Sequence, residues 1–252
     1  MISVIVCSRN PPENTLHCRN VFKTVGTDHE YIPLDNQQNR YGICAAYNEG
    51  VKRSRGVILV FVHEDVFFME QGWGAALESK FTDATVGMVG VAGTRYLFAD
   101  RPGWVVAGRP FIRGRVIHEA PDKSAIDLTV FSWDKRDADA VAVDGLFFAI
   151  RRSLFKTIRF DEQTFDGFHF YDLDICMQVR QTHRILVTWG IMVKHLSGGN
   201  FGSDWQKYAT RFTNKYRLQL PATCDSDVPD PARRISFETF NLTGRVPQLT
   251  IA

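Results

Sequence analysis

The sequence predicts an α/β fold in which a mostly parallel β-sheet is flanked by helices. One observation is the apolar run Val57–Val62, which is rich in β-branched residues and typical of a strand buried on both faces. A second is that further short apolar runs in the first part of the chain are separated by segments with helical patterning. Strands that alternate with helices of about 10–15 residues indicate βαβ units, a parallel sheet and right-handed crossovers.

Seven elements are predicted in order along this first part. Pro11 and Pro12 precede the first helix, where proline is tolerated because the first turn leaves its N–H positions without intrahelical partners. Gly56 separates the second helix from the buried strand that follows it. The strands are predicted over residues 2–7, 31–34, 57–62 and 86–91, and the helices over residues 13–24, 41–54 and 70–81.

The regular alternation stops near residue 93. Residues 93–140 contain Gly, Pro, Trp and Arg and are predicted to form an irregular insertion with short β-like pieces at 104–107 and 115–117. A connection of this length is usually functional. The later elements are a strand over 140–150 that Asp144-Gly145 interrupts, a helix that ends near residue 183, a strand over 184–189, a short apolar run at 191–195, and a helix over 204–219 that begins with a capping box at Ser203–Gln206.

Length, charge and cysteine content narrow the class of protein. A chain of 252 residues can bury about 70–75% of its unfolded surface, enough for one large domain. The net charge of +2 gives no reason to expect nucleic acid as a partner, and no apolar run reaches the ~20 residues of a transmembrane helix. The start of the chain lacks a signal-peptide pattern. Five scattered cysteines without CxxC spacing predict a reducing, cytoplasmic location.

The tripeptide His63-Glu64-Asp65 follows the buried strand directly. The carboxyl ends of strands are where open α/β sheets bind ligands. Asp65 is the best candidate for a metal ligand, because Mg²⁺ and Mn²⁺ take oxygen ligands and need only one or two protein carboxylates. Glu64 would support that site, and His63 is either a ligand or a hydrogen-bonded imidazole near the core. A solvated acidic turn is the alternative interpretation of the tripeptide.

Four other polar residues have both a chemical and a structural interpretation. Asp35 ends the second strand and either accepts hydrogen bonds from a ligand or forms a turn. Asp172 and Asp174 follow an aromatic run, where Asp172 is a general base or a helix-terminal acid. His195 is a ligand or a structural histidine. No glycine loop for phosphate binding follows the first strand, which ends in Cys7-Ser8-Arg9-Asn10-Pro11-Pro12.

In their order along the chain, these residues resemble the family 2-like glycosyltransferases of GT-A fold, from Ile2 to about Gly199. His63-Glu64-Asp65 stands where that family has its DxD motif, so only Asp65 matches its last acid. Tyr171 stands in place of the first acid of the EDxD motif. The pattern looks like an HxD-type variant found in a subgroup of small soluble bacterial proteins. The other matching segments are Ser8-Arg9-Asn10, Asp35, Gly42 to Gly50 with Asn48, Asp144-Gly145, Phe160-Asp161-Glu162, Tyr171 to Asp174, and His195.

The resemblance implies a Rossmann-like sheet and an inverting transfer of sugar from a nucleotide-sugar, most simply a UDP-sugar. Asp172 would be the general base. The implied acceptor is a glycan, a lipid-linked molecule or a small molecule. A divalent metal, Mn²⁺ or Mg²⁺, would be bound by Asp65, His195 and His63, and the nucleotide-sugar by Ser8, Arg9, Asp35, Asn48 and Glu64.

The resemblance also divides the chain and leaves alternatives open. Residues 1–220 are expected to be one domain, with a nucleotide-binding half (1–92) and an acceptor half (93–220), and residues 221–252 an extension that wraps the surface or contacts a second subunit of a homodimer. A sugar- or nucleotide-binding protein without turnover, or an interaction module, is the main alternative. A nucleotidyltransferase is the third class, but it would have a glycine-rich basic loop after the first strand.

Overall fold

The computed structural model describes residues 1–10, 15–119, 126–196 and 202–225. Fifteen strands and five α-helices lie within these ranges. The helices are α1 (Leu16–Thr24), α2 (Ile43–Arg53), α3 (Trp73–Lys80), α4 (Tyr171–Val179) and α5 (Ser203–Tyr216). The strands are β1 (Ile2–Ser8), β2 (His29–Asp35), β3 (Ile58–Val62), β4 (Val66–Phe68), β5 (Val86–Gly90), β6 (Ala92–Thr94), β7 (Tyr96–Leu97), β8 (Ile112–Glu119), β9 (Ile126–Val130), β10 (Ala138–Ala140), β11 (Ala142–Val143), β12 (Phe147–Arg151), β13 (Arg184–Val187), β14 (Val193–His195) and β15 (Ala222–Thr223).

The main sheet has seven strands in the order β10-β13-β5-β12-β3-β1-β2. β1 pairs in parallel with both β2 and β3, as the βαβ prediction requires. β12 is antiparallel to both of its neighbours, β3 and β5, so the sheet is mixed. The chain returns to β12 through strands and loops rather than through a crossover helix, and only a crossover connection makes a parallel pair. The α/β prediction is confirmed.

Both faces of this sheet are covered by apolar side chains. Val60 and Phe61, which are neighbours on β3, belong to two different core clusters because successive side chains of a strand point to opposite faces. Tyr47 of α2 packs in the cluster of Phe61, and Trp73 of α3 packs in the cluster of Val60. β3 is therefore buried on both faces, as the composition of the run predicts, whereas Val57 precedes the strand and is exposed.

A second sheet forms where an irregular insertion was predicted, so the predicted irregularity is wrong, whereas the β-like piece predicted at 115–117 lies within β8 and is confirmed. Its six strands include β6, β8 and β9 from residues 93–140, together with β4, β11 and β14. Along β8 buried and partly exposed residues alternate, with Ile112, Gly114 and Val116 buried. Residues 104–107 contain a short 3-10 helix instead of a strand.

Several predicted boundaries differ in smaller ways. The strand over 140–150 is divided between β11 and β12, and α1 begins at Leu16 with Thr15 as its N-cap. The capping box is wrong: α5 already includes Ser203, and its N-cap residue is Gly202. Pro11, Pro12 and residues 226–252 of the predicted extension lie outside the described residues. Among the helices of the described ranges, none combines the length and apolarity of a membrane span.

Candidate functional site

A cavity of about 750 Å³ opens beside the carboxyl ends of β1 and β3. It lies at the edge of the sheet where open α/β folds bind ligands. It is lined by residues from the ends of both strands, from α1 and from the start of α4, so distant parts of the sequence meet here. Its walls include Cys7, Arg9, Asn10, Thr15, His17, His63, Glu64, Asp65, Phe67, Phe168 and Tyr171.

Glu64 holds the loop after β1 in place. Its carboxylate accepts hydrogen bonds from the Ser8 hydroxyl at 2.6 Å, the Arg9 backbone N–H at 2.9 Å and the Asn10 side-chain amide at 2.9 Å. Burial opposes the charge of Glu64, but these bonds outweigh it and lower its pKa. Both carboxylate oxygens are thus used by the protein, and Glu64 acts on the cavity by shaping the loop. Arg9 lies over the Phe168 ring at 4.9 Å and supplies a cation at the cavity wall.

Three potential metal ligands converge beside the cavity, and two of them, His63 and Asp65, line it. One ligand atom from each of His63, Asp65 and His195 lies within 4.8 Å of the other two. His195 is brought there by strand pairing, because β14 runs antiparallel to β4 and His195 lies opposite Val66. A mixed set of nitrogen and oxygen ligands suits Mn²⁺. Mg²⁺ would bind through the Asp65 carboxylate and through oxygen atoms of the substrate. The residues present therefore fit a divalent cation.

The two histidines of this cluster have different electrostatic surroundings. Burial, together with the neighbouring His195, lowers the pKa of His63 and so favours its neutral form. Burial also opposes the charge of His195, but the hydrogen bond and the charge of Asp65, 3.4 Å away, raise its pKa. Asp65 and His195 thus attract each other in the metal-free protein.

Tyr171 links this cluster to the start of α4. Its hydroxyl lies 2.6 Å from His63 Nε2 and donates to the Gly145 carbonyl oxygen at 3.1 Å. The N-cap residue of α4, Phe170, has φ 64° in the left-handed region, which is rare for a bulky residue. Such strain is concentrated at functional sites. The strained residue directly precedes Tyr171 and Asp172.

Asp172 is held by backbone donors at the start of α4. Its carboxylate accepts from the Gly145 N–H and the Leu173 N–H, both at 2.9 Å. Burial first, and then the negative charge of Asp144, raise the pKa of Asp172 to about 7. The side chain does not line the cavity itself; it follows Tyr171, which does.

Asp144 is a residue of this site that sequence reasoning did not assign. It accepts a hydrogen bond from Trp104 Nε1 at 2.8 Å, and its charge acts on Asp172, His63 and His195. The signal was present, because Asp144 is an acidic residue that interrupts an otherwise apolar run, as His63-Glu64-Asp65 does.

His17 is another residue of the site that the sequence analysis did not assign, and it had no signal in the sequence. It is 1% exposed, and its Nδ1 is 2.9 Å from the Tyr31 hydroxyl. Burial lowers the pKa of His17 to about 4, so it is neutral at physiological pH. It faces the cavity from α1, and only the packing of that helix against β4 brings it there.

Three other acidic or amide candidates lie away from the cavity wall. Asp35 is exposed, and its carboxylate accepts from the Gln37 N–H, as a turn-forming Asp does. Asn48 exchanges two hydrogen bonds with the backbone of Phe160, at 2.9 and 3.1 Å. Asp174 is buried and bonded to Lys215 at 2.6 Å. Asp174 and Asn48 therefore hold elements together, and a ligand role for Asp35 or Asn48 stays a prediction.

Gly145 allows the close approach on which this arrangement depends. A Cβ at this position would lie 2.2 Å from the Tyr171 hydroxyl and 3.2 Å from an Asp172 oxygen. We expect Gly145→Ala to lower the free energy of unfolding by about 1–3 kcal/mol, the usual cost of overpacking, as measured by urea denaturation. Gly190→Ala is the control, because its Cβ would meet nothing closer than 3.5 Å. Equal stability of the two variants would contradict the expected crowding.

Comparison with known proteins gives a consistent result at the level of family. A family model described as "Glycosyltransferase like family" matches residues 3–216. A protein of Fuscovulum blasticum named "ATP synthase subunits region ORF 6" is 22% identical over 198 residues, which are 76% of this chain and 73% of that protein.

Solved structures with similar folds include two that were determined with a nucleotide and Mn²⁺. One is GalNAc-T7 with UDP, GalNAc and Mn²⁺, with a TM-score of 0.56 and 14% identity over 84% of this chain. The chain spans about half of that structure, 47% of its length. The other is the mannosyltransferase PcManGT from Pyrobaculum calidifontis with GDP-Man and Mn²⁺, with a TM-score of 0.55, 14% identity, and coverage of 91% of this chain and 66% of that one. At this identity the likeness shows the fold.

Proposed function

The chain belongs to the glycosyltransferase-like family, and from that premise we propose that it is an inverting glycosyltransferase. It moves a sugar from a nucleotide-sugar, a UDP-sugar in the simplest case, to an acceptor hydroxyl. The observation that carries the proposal is the juxtaposition of two groups. Asp172, a carboxylate with a pKa of about 7, is joined through Gly145 and Tyr171 to the cluster of His63, Asp65 and His195.

The donor would lie in the cavity with its diphosphate toward the three-ligand cluster. Arg9 offers a positive charge at the wall, and Phe168 beneath it offers an aromatic face. Ser8 would act on the donor indirectly, because its hydroxyl bonds to Glu64 and so helps to hold the loop after β1 in place. Both similar structures named above contain a nucleotide and Mn²⁺, which supports a nucleotide-sugar as donor.

Asp65, His195 and His63 would hold a divalent cation, Mn²⁺ or Mg²⁺. When bound, it would supply positive charge that stabilises the leaving diphosphate. The histidines contribute to such a site only as neutral imidazoles, and burial favours the neutral form of His63.

Asp172 acts on the acceptor. Its carboxylate takes the proton of the acceptor hydroxyl while that oxygen attacks the anomeric carbon, and the bond from this carbon to the diphosphate oxygen breaks. Attack from the face opposite the leaving group inverts the anomeric configuration. General bases work best when their pKa is near the operating pH, and a value of about 7 meets that condition.

A ligand screen tests the proposal most directly. We expect a nucleoside diphosphate, and its sugar, to raise the melting temperature of the protein only when Mn²⁺ is present. A ligand at a hundredfold excess over its dissociation constant adds about 2.7 kcal/mol to the free energy of unfolding. Product analysis by mass spectrometry then follows slow hydrolysis of the stabilising nucleotide-sugar.

The outcomes of this screen separate the remaining classes. Metal-dependent stabilisation with hydrolysis supports a transferase. Stabilisation without any hydrolysis or transfer would favour a binding protein without turnover. The absence of any stabilising nucleotide, with Mn²⁺ present, would contradict the proposed function and favour an interaction module.

A further inference from the structure

His63 is fixed by a residue that is not itself one of the three potential metal ligands. The Tyr171 hydroxyl lies 2.6 Å from His63 Nε2 and 3.1 Å from the Gly145 carbonyl oxygen. The backbone of His63 is also held, because its N–H donates to the Leu146 carbonyl at 3.0 Å. The Nε2 atom of the His63 ring therefore has a defined partner, the Tyr171 hydroxyl, and this partner determines the tautomer of the ring.

With both contacts of the Tyr171 hydroxyl taken as hydrogen bonds, the protons of this group can be placed in one way. A carbonyl oxygen only accepts, and a tyrosine hydroxyl has a single proton, so that proton goes to the Gly145 carbonyl. The hydroxyl oxygen must then accept from His63, which places the ring proton on Nε2. A neutral imidazole has one ring proton, so Nδ1 has the lone pair.

We propose that Tyr171 is a positioning residue for the metal site, which keeps the ring proton of His63 on Nε2 and so leaves the Nδ1 lone pair to a divalent cation shared with Asp65 and His195. This inference deepens the proposed function and rests on it for the identity of the site. Histidine ligands commonly donate their other ring N–H to an acceptor that fixes tautomer and orientation. Here the acceptor is a hydroxyl oxygen.

The surroundings explain why a tyrosine suits this position. Asp144 and Asp172 already repel each other, since the charge of Asp144 contributes to the raised pKa of Asp172. A third carboxylate at position 171 would add to that repulsion, whereas a tyrosine accepts the same hydrogen bond without a charge. Tyr171 is also rigid, because it is 4% exposed and its ring packs edge-on against Tyr47, with 5.7 Å between centroids.

Tyr47 provides a matched control for removal of the Tyr171 hydroxyl. It is fully buried beside Tyr171, and its hydroxyl has no hydrogen-bond partner among the residues that the structure describes. Tyr171→Phe and Tyr47→Phe therefore each delete one buried phenolic oxygen from the same aromatic cluster. Only Tyr171→Phe removes the hydrogen bond to His63.

The first measurement is the affinity of the metal-free protein for Mn²⁺ alone, from the electron paramagnetic resonance signal of the free ion. We expect Tyr171→Phe to weaken Mn²⁺ binding about 10- to 100-fold, the usual effect of losing an outer hydrogen bond to a ligand. Tyr47→Phe should stay within about twofold of wild type. Binding by Tyr171→Phe as tight as wild type, or tighter, would overturn the inference.

The second measurement is the tautomer of His63, from imidazole ¹⁵N shifts of the metal-free protein. We expect the proton on Nε2 in wild type and Tyr47→Phe, and a mixture of tautomers in Tyr171→Phe. A wild-type protein with the proton on Nδ1 would overturn the inference. Mn²⁺ binding that depends on Tyr171 but is accompanied by no nucleotide binding would uphold this inference while contradicting the proposed function.

Discussion

Replacing Asp172 with Asn is expected to slow sugar transfer by about 10²–10⁴-fold, the usual contribution of a positioned general base. Asn keeps the shape of the side chain and still accepts a hydrogen bond from the Gly145 N–H, which Asp172 accepts at 2.9 Å. It cannot take a proton from the acceptor. Nucleotide affinity should stay nearly unchanged, because Asp172 does not line the cavity. Initial rates and calorimetric titration with nucleotide measure the two effects separately.

The pH dependence of the wild-type rate gives the same prediction a second measurement. Because burial and Asp144 raise the pKa of Asp172 to about 7, the base is protonated and inactive at lower pH. The rate should therefore rise about tenfold per pH unit below pH 7 and level off above it, or at somewhat lower pH if bound metal favours the carboxylate. The residual rate of Asp172→Asn should lack this limb. Near wild-type transfer by the variant would refute the assigned role.

Asp174 provides the contrasting substitution two residues along the same helix. Its carboxylate is buried and bonded to Lys215 at 2.6 Å and to the Tyr216 hydroxyl at 2.7 Å. Asp174→Asn should lower the free energy of unfolding by about 1–3 kcal/mol, because it weakens a charge-assisted bond in a buried site. Asp174→Asn thus lowers stability while Asp172 is still in place, so its transfer rate measures the effect of structural damage without loss of the base.

The charge of Asp172 acts on stability in the opposite direction from that of Asp174. The folded chain keeps the proton of Asp172 up to about pH 7, whereas an unfolded Asp releases it near pH 4. Between these values the folded state binds more protons, so this residue makes the free energy of unfolding fall as pH rises. Asn removes the unfavourable charge but can accept only one of the two backbone hydrogen bonds that the carboxylate accepts, so the variant should lose this dependence of the free energy of unfolding on pH between about pH 4 and pH 7. A base that costs stability is expected where function and not folding has selected the residue.

The first half of the fold could be predicted because its signals are local. The run Val57–Val62 is apolar on both faces and is bounded by Gly56, so composition alone places a buried strand there. The second sheet was missed because β8, Ile112–Glu119, carries arginines, a histidine and a glycine among its apolar residues. Its alternation of buried and exposed residues is the period of a half-buried strand, and counting that period would have found it.

The site could be predicted only where chemistry coincides with a strand end. Asp65 directly precedes β4 and His195 ends β14, and the antiparallel pairing of these two strands places His195 Nε2 3.4 Å from the Asp65 carboxylate. His17 depends on packing between distant elements, for which the sequence has no local pattern, whereas Asp144 had a local signal as an acidic residue within an apolar run. Glu64 bonds the loop at Arg9, which the sequence did not indicate, since its carboxylate and three nearby donors satisfy each other; its contact with a nucleotide-sugar stays a prediction.

Loss of the Asp65 carboxylate is expected to have the other large effect. Asp65 is the sole carboxylate among the three converging ligands of the described residues, and its exposed fraction of 32% leaves it open to the cavity. Asp65→Asn keeps the size of the side chain and removes the charge that a divalent cation needs. We expect Mn²⁺ affinity to fall strongly and transfer to slow by at least about 10²–10³-fold, the usual cost of losing a main electrostatic stabiliser.

Two further experiments complete this test: transfer at a raised Mn²⁺ concentration, and replacement of a carboxylate outside the metal cluster. Raising the Mn²⁺ concentration should partly restore transfer by Asp65→Asn, because weaker binding is overcome by mass action. Glu70→Gln is the matched control. Glu70 follows β4 and is half-exposed, and its one ion pair among the described residues is a long contact of 3.9 Å with Arg115. Its loss should change the free energy of unfolding by less than about 0.5 kcal/mol and leave Mn²⁺ binding intact. Transfer by Asp65→Asn at the wild-type rate, with or without added Mn²⁺, would show that the reaction does not depend on this cluster. In that case the positive charge that stabilises the leaving group would have to come from Arg9, a cation of the cavity wall.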